Sequence, residues 1–354
     1  MAHNSLKRMT SGGLLGLHFT PEELFVVVGH ARGRNSYLTT LDILDIRQHV
    51  LEGGDFNQLT LAPFIQKTLK AHRVRTKRTV VSFPVKFPWI RVIEVPNMPD
   101  REMSRIVRLE VERLYLDSTV EKLIDYHVLG PPMDKGSGEV VPVLSCAIPR
   151  NSIAPYVDLV AAAKLEMVGI DLVELNVLKL ASMTGARFDE GITLILNFNM
   201  QSIDLMLMED DRLQLVRKVG QGKQQLREVL QRKLPPSSPL RHELESIEFE
   251  LPIEHLPLTT DYVANLLGEI RRSIEFYITD IKREEGNVTK VILAGSGYWP
   301  VNLREVLQQQ LKLELIDLRF DLLPNVTCQQ TFAPNFPALG VYAPAVGSVI
   351  RGVA

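Results

Sequence analysis

The chain has 354 residues, 45% of them hydrophobic and 23% charged, with a formal net charge of −2 at pH 7. This composition is that of an ordinary globular protein long enough for two domains, and it excludes a strong global attraction to nucleic acid or to an anionic membrane surface. The two cysteines, Cys146 and Cys328, stand in unrelated contexts, so a reducing compartment fits better than a disulfide framework.

In chain order, residues 1–13 are expected to be disordered. They lack the apolar core of a signal peptide, and no later run reaches the roughly 18 apolar residues of a membrane span. Leu14 to Val28 carries two apolar runs about a turn at Thr20-Pro21-Glu22, which predicts a hairpin. Ser36 to Asp45 predicts a further strand, Leu61 to Lys70 a helix, and Thr79 to Pro84 a buried strand. Asp100 is placed to cap a helix in which Met103, Ile106, Val107, Val111 and Leu114 share one face. Strands Ile124 to Leu129 and Val140 to Ile148 and a helix from Ile153 to Leu165 follow, giving an α+β unit over about 97–165.

The second half opens in the same way. Ile192 to Leu196 and Ile203 to Met208 read as a hairpin about Asn197 to Ser202, and Leu213 to Val219 as a third strand. A long helix is expected from Asp261 to Lys282, with Val263, Leu266, Leu267, Ile270, Ile274, Tyr277, Ile278 and Ile281 on one stripe. Lys290 to Ala294 is a short buried strand, and Pro300 to Leu311 a helix. Two α/β lobes are therefore expected. The first is 14–190, with the insert at about 97–165, and the second 191–350, with an insert at about 220–289. The boundary falls near Arg187 to Gly191.

Three stretches carry a family resemblance. One is Glu269-Ile270-Arg271-Arg272-Ser273-Ile274-Glu275-Phe276-Tyr277, followed by Val291-Ile292-Leu293-Ala294-Gly295-Ser296-Gly297. Another is Val95-Pro96-Asn97-Met98-Pro99 with the charged helix Arg101 to Leu116 and Asp125-Tyr126-His127-Val128-Leu129. The third is Val168-Gly169-Ile170-Asp171-Leu172-Val173-Glu174. In this order they resemble the PilM family of type IV pilus assembly proteins and, more distantly, the cell-division protein FtsA. The resemblance covers about residues 14 to 350. It implies an actin-like (ribonuclease H-like) two-lobed α/β fold with an inserted α+β subdomain, and a family that binds magnesium-ATP between the lobes.

The chain departs from that family where nucleotide would bind. The usual first loop reads roughly D-I-G-S-S-S-x-K; here His18 stands for the Asp, Thr20 for the Gly and Phe25 for the Lys. Asn197 and Asn199 stand for Asp and Gly in the second loop, and the third keeps Gly295 and Gly297 around Ser296. A phosphate loop needs glycine for close backbone approach and carboxylates to hold the metal. The expectation is a pseudo-ATPase, with no catalytic residue, no metal site and no cofactor, ATP and magnesium being disfavoured. Gly220-Gln221-Gly222 reads as the opening turn of a helix rather than a phosphate contact. The basic run His72 to Arg78 lacks interleaved aromatics and reads as a solvated loop end, so no nucleic-acid partner is expected. Trp89 and Trp299 read as packing residues, and no HExxH, Cys/His metal spacing or GxSxG motif is present.

The resemblance further implies a cytoplasmic scaffold peripheral to the inner membrane, reaching the membrane only through its partner. That partner would be the cytoplasmic tail of a PilN-like bitopic membrane protein, and the scaffold would couple it to a pilus assembly motor ATPase. Self-association is left open. The tail is expected in a groove between the first large subdomain and the insert. In this chain it would involve Gly29 and His30 after Val28, and Arg101, Arg105 and Arg108 on the inserted helix. Two alternatives stay open: an ATP-switched protein of the same fold, and the cytoplasmic platform component of type II secretion. The lack of an anchor after Ala354 counts against the latter.

Overall fold

The computed structural model describes residues 13–331 and 338–350, apart from 34, 52–54, 86–88, 116–119, 137, 185–190, 211, 245–252, 283–284 and 296–300. The predicted boundary at 187–191 and residues Ser296, Gly297 and Trp299 fall largely outside them.

Two sheets repeat one plan. In the first, β1 (Leu14–Phe19), β2 (Glu23–Arg32) and β3 (Asn35–Asp45) form an antiparallel meander. After α1 (Gln58–Ala71), β4 (Arg78–Phe83) joins β1 in parallel, and β9 (Glu166–Leu172) joins β4. The second sheet has the meander β10 (Ile192–Phe198), β11 (Ile203–Glu209) and β12 (Arg212–Val219). There β13 (Val288–Ala294) adds to β10 in parallel and β14 (Glu314–Asp317) to β13. The central strands β1 and β10 are buried throughout, as continuous apolar runs covered on both faces must be.

The small third sheet pairs β5 (Trp89–Pro96) with β8 (Glu139–Pro149) and β8 with β6 (Lys122–Val128), while β7 (Met133–Asp134) meets the start of β8. Against it packs α2 (Asp100–Leu114), through Met103, Val107 and Val111, and Trp89 joins this core. The paired strands of the insert thus span 89–149 rather than 97–165. The reason is that Trp89 to Pro96 pairs along the whole of β8, while α3 (Ala154–Ala162) packs on α1 and β9 in the first lobe. Asp100 begins α2 rather than capping it: the carbonyl of Pro99 takes the N–H groups of Glu102 and Met103, and Tyr126 Oη donates to the Asp100 carboxylate.

The second lobe carries α5 (Lys223–Lys233), α6 (Leu240–Glu243), α7 (Thr260–Phe276) and α8 (Val301–Leu311). The long predicted helix is α7 continued by a π-helical turn over Tyr277–Lys282. The turn lets Tyr277 Oη and Lys282 Nζ both donate to the Glu209 carboxylate, at 2.7 and 2.6 Å. Widening the helix also rotates Ile281 out of the stripe, leaving it 43% exposed.

Two helices join the lobes. One is α4 (Val173–Met183), which follows β9 and approaches β10. The other is α9 (Ala338–Val349), which lies against α4, β1, β2, β4 and β13. A short strand, β15 (Val326–Cys328), pairs with β3. Residues 326–328 and 338–349, read from the sequence as the end of the second lobe, therefore return to the first sheet. Gly16 and Gly347 permit this close approach. A Cβ at Gly16 would lie 2.8 Å from the Ala345 carbonyl oxygen, and one at Gly347 2.6 Å from that of Asn176.

Candidate functional site between the lobes

Both meanders turn toward the same interlobe region. The first turn is closed by Thr20, whose Oγ1 accepts the Glu23 N–H at 2.9 Å and the Glu22 N–H at 3.3 Å. The N–H groups that would face an anion are thereby satisfied within the turn. His18 and Phe25 do not face the cleft as a substituted metal acid and lysine would. They pair in register across β1 and β2, both fully buried, and Phe25 meets Tyr342 of α9 edge to face. Ser82 Oγ donates to the Pro344 carbonyl, so it can only accept from His18 Nδ1–H, 3.2 Å away. Burial holds the imidazole in the neutral form, its pKa lowered to about 3. No group among the described residues reaches Nε2.

The second turn is built on an acid absent from the sequence-derived list. Asp204 of β11 faces Asn197 across the ladder and accepts from Asn197 Nδ2 at 2.8 Å and Asn199 Nδ2 at 2.7 Å. Lys218 Nζ lies 2.5 Å from Asp204 Oδ1 and 3.2 Å from Glu174 Oε1 of α4. Burial raises the Glu174 carboxyl to about 7, with Asp204 adding to the shift. Burial alone would lower the Lys218 ammonium; the carboxylates of Asp204 and Glu174 outweigh it and raise it. The signal was present in the sequence: Asp204 interrupts the apolar run Ile203 to Met208, and a charge there must be paired.

Helix α5 starts against the second turn. A Cβ at Gly222 would lie 2.4 Å from Ser202 N, so only glycine fits. The N–H groups of Lys223 and Gln224 donate to the carbonyls of Asn199 and Met200, at 3.0 and 2.8 Å. An N-terminus that could receive phosphate is thus spent on the neighbouring backbone. One turn on, Arg227 donates from both terminal nitrogens to the Glu22 carboxylate of the opposite lobe, at 3.0 and 3.1 Å. Beside that pair Glu23 is raised to about 7, by burial first and against the field of Lys223.

Gly295 has φ +124°, and a Cβ there would lie 2.0 Å from the Phe198 carbonyl oxygen, so this glycine is required by packing alone. Its N–H donates to the carbonyl of Gly340 at 2.9 Å. That carbonyl is free because Pro344, four residues on in α9, has no N–H to offer it.

Among the described residues, the groups that could meet magnesium-nucleotide are engaged with the protein in three places. Lys218 occupies the position between the two buried carboxylates, the N–H groups of Thr20, Glu22, Glu23 and Asn199 have acceptors within their turns, and Arg227 is engaged with Glu22. Among the described residues no cluster of three His, Cys, Asp or Glu could hold a metal ion. A polar cavity of about 480 Å³ lies instead between α5 and α7, lined by Gln225, Glu228, Arg232, Asp261 and Tyr262 among others, and by none of the loop positions.

The groove residues separate into two settings. Gly29 is buried under α9, where a Cβ would lie 2.8 Å from Val349 Cγ2, so it lines no open groove. His30 is exposed with its ring over Gly13. Arg101, Arg105 and Arg108 form an exposed stripe along α2, opposite the face that packs on the small sheet.

A family model described as type IV pilus assembly protein PilM matches residues 25–329. Among solved structures, the fold is similar to that of a PilM–PilN type IV pilus biogenesis complex, with 23% identity and a TM-score of 0.77, covering 96% of this chain and 98% of the other. It is also similar to the ethanolamine utilization protein EutJ from Carboxydothermus hydrogenoformans, with 12% identity and a TM-score of 0.52, covering 97% and 90%. No curated protein matches significantly.

Proposed function

This chain belongs to the type IV pilus assembly protein PilM family, and from that membership we propose that it is a nucleotide-independent cytoplasmic scaffold for the cytoplasmic tail of a PilN-like bitopic membrane protein. The observation that carries the scaffold reading is the whole-length agreement in fold with a PilM–PilN complex. The nucleotide-independent part is supported by the cleft, where Lys218 is held by Asp204 and Glu174, Arg227 by Glu22, and the N–H groups of Lys223 and Gln224 by the second turn. No helix among the described residues is long and apolar enough to cross a membrane, in keeping with attachment through a partner. The arginine stripe Arg101, Arg105 and Arg108 is proposed as the part of the insert that meets the tail. In this reading the scaffold relays the membrane complex to the assembly motor by contact rather than by hydrolysis.

The test is calorimetry with a synthetic peptide of the cognate PilN-like tail, with and without magnesium-ATP. Micromolar binding that is indifferent to nucleotide, and weaker in an R101E/R105E/R108E variant, is expected. Absence of peptide binding refutes the scaffold reading. Low-micromolar binding of magnesium-ATP, or its hydrolysis, refutes nucleotide independence.

A further inference from the structure

We infer that Glu22 and Arg227 act as an interlobe clasp, holding the cleft closed in the place where a nucleotide would otherwise bridge the two lobes. The inference rests on the nucleotide-independent reading above and adds what replaces the nucleotide.

Four observations carry it. Glu22 belongs to the β1–β2 turn and Arg227 to α5, so the pair joins elements of different sheets, 205 residues apart in the chain. The geometry is bidentate, the guanidinium being matched by both carboxylate oxygens, the strongest form of side-chain ion pair. Both ends are anchored. Thr20 closes the turn that carries Glu22, and the backbone of Asn199 and Met200 fixes the start of α5, so breaking the pair cannot be absorbed by local side-chain motion. The Arg227 side chain is 12% exposed and that of Glu22 27%, so screening by solvent is partial. Glu23 and Lys223 flank the pair as a second acid and base, on the same two elements in the same order. An ordinary surface bridge would show none of this double anchoring and would leave the lobes unmoved when broken.

The test is a charge-swap cycle in the full chain: Glu22→Arg, Arg227→Glu, and the two together. Hydrogen exchange of peptides covering 19–24 and 198–204, with small-angle scattering, reports the cleft, and circular dichroism reports folding. Each single reversal should speed exchange in both peptides about tenfold or more and enlarge the particle, while the swap restores both. Rising salt should shift the wild type the same way. If a reversal fails to fold, Arg227→Gln takes its place. Singles that fold and exchange like the wild type, or a folded swap that stays open, overturn the clasp. Slower exchange of the wild type on adding magnesium-ATP overturns the nucleotide-independent reading, whatever the swap shows.

Discussion

Lys218→Met should be among the most damaging conservative changes in this protein, and the damage should shrink on acidification. Methionine keeps the straight stem but removes the ammonium that lies 2.5 Å from Asp204 and 3.2 Å from Glu174. The side chains of those acids are 1% and 2% exposed, so water cannot take over the role of the lysine. Leaving a buried charge without its partner costs about 3–5 kcal/mol. Asn197 and Asn199 still donate to Asp204, which puts the expectation near the lower end, about 3 kcal/mol at pH 8. Glu174 is already raised to about 7, by burial and then by Asp204, and losing Lys218 raises it further. A carboxyl whose folded pKa lies above its unfolded value binds its proton first in the folded state. Acidification from pH 8 to about 7 therefore narrows the deficit, at up to about 1.4 kcal/mol per unit, and below about 7 the wild-type Glu174 takes up its own proton and the two curves run parallel. Urea unfolding of wild type and variant at both pH values measures the two differences. A loss below about 1 kcal/mol at pH 8, or one that grows toward pH 5.5, would refute the electrostatic account. The triple change Glu174→Gln, Asp204→Asn, Lys218→Met should recover most of the loss, since a neutral set removes the unpaired charge.

His18→Phe should flatten the acid limb of the stability profile. The folded pKa of His18, lowered to about 3 by burial, lies below the unfolded value of 6.5, so wild-type stability falls as pH drops below 6.5. Over pH 6.5 to 5 that loss is roughly 2 kcal/mol, absent in the phenylalanine variant; equal slopes in denaturant titrations would contradict it. Glu23 and Glu174 act oppositely in the same window but are common to both proteins and cancel in the comparison. Gly295→Ala, placing a Cβ 2.0 Å from the Phe198 carbonyl oxygen at φ +124°, should destabilise by about 3 kcal/mol or more without any nucleotide present. Thermal melts showing a neutral substitution would refute the packing account of Gly295. Gly222→Ala should likewise loosen α5 from the second turn, read as faster exchange at Lys223 and Gln224, whose N–H groups bond there.

The meanders were legible because apolar runs broken by Thr20-Pro21-Glu22 and Asn197 to Ser202 are local signals, and the strands formed there with those turns. The repeated opening suggested two lobes, and the family resemblance supplied the actin-like plan. Less legible was anything decided by distant pairing. Trp89 to Pro96 is assigned no element from the sequence, and the insert is begun near residue 97, because the partner strand β8 lies some 50 residues later. His18 and Phe25 were read as altered loop chemistry because their alignment positions are nucleotide positions. Their shared face toward α9 depends on a helix over 300 residues away. The charges that organise the cleft, Glu22, Asp204, Lys218 and Arg227, belong to no motif; Asp204 stands out as a charge in an apolar run, and the other three look ordinary until their partners are placed.

The route of the chain bears on how the molecule is made. Strands β1, β2 and β4 are made well before the helix that covers them, α9, and before the strand that pairs with β3, β15, both of which follow β4 by more than 240 residues. Throughout translation the nascent first lobe exposes Phe25, Val27 and the seat at Gly16 and Gly29 that waits for Val349. The first sheet therefore waits for α9, and the second lobe has its own meander complete before the first is sealed. A stalled or clipped chain that ends before residue 338 presents an unpaired, apolar sheet face, the kind of surface that chaperones and proteases recognise. Quality control of this protein thus turns on α9: only a chain translated through that helix can cover its first sheet.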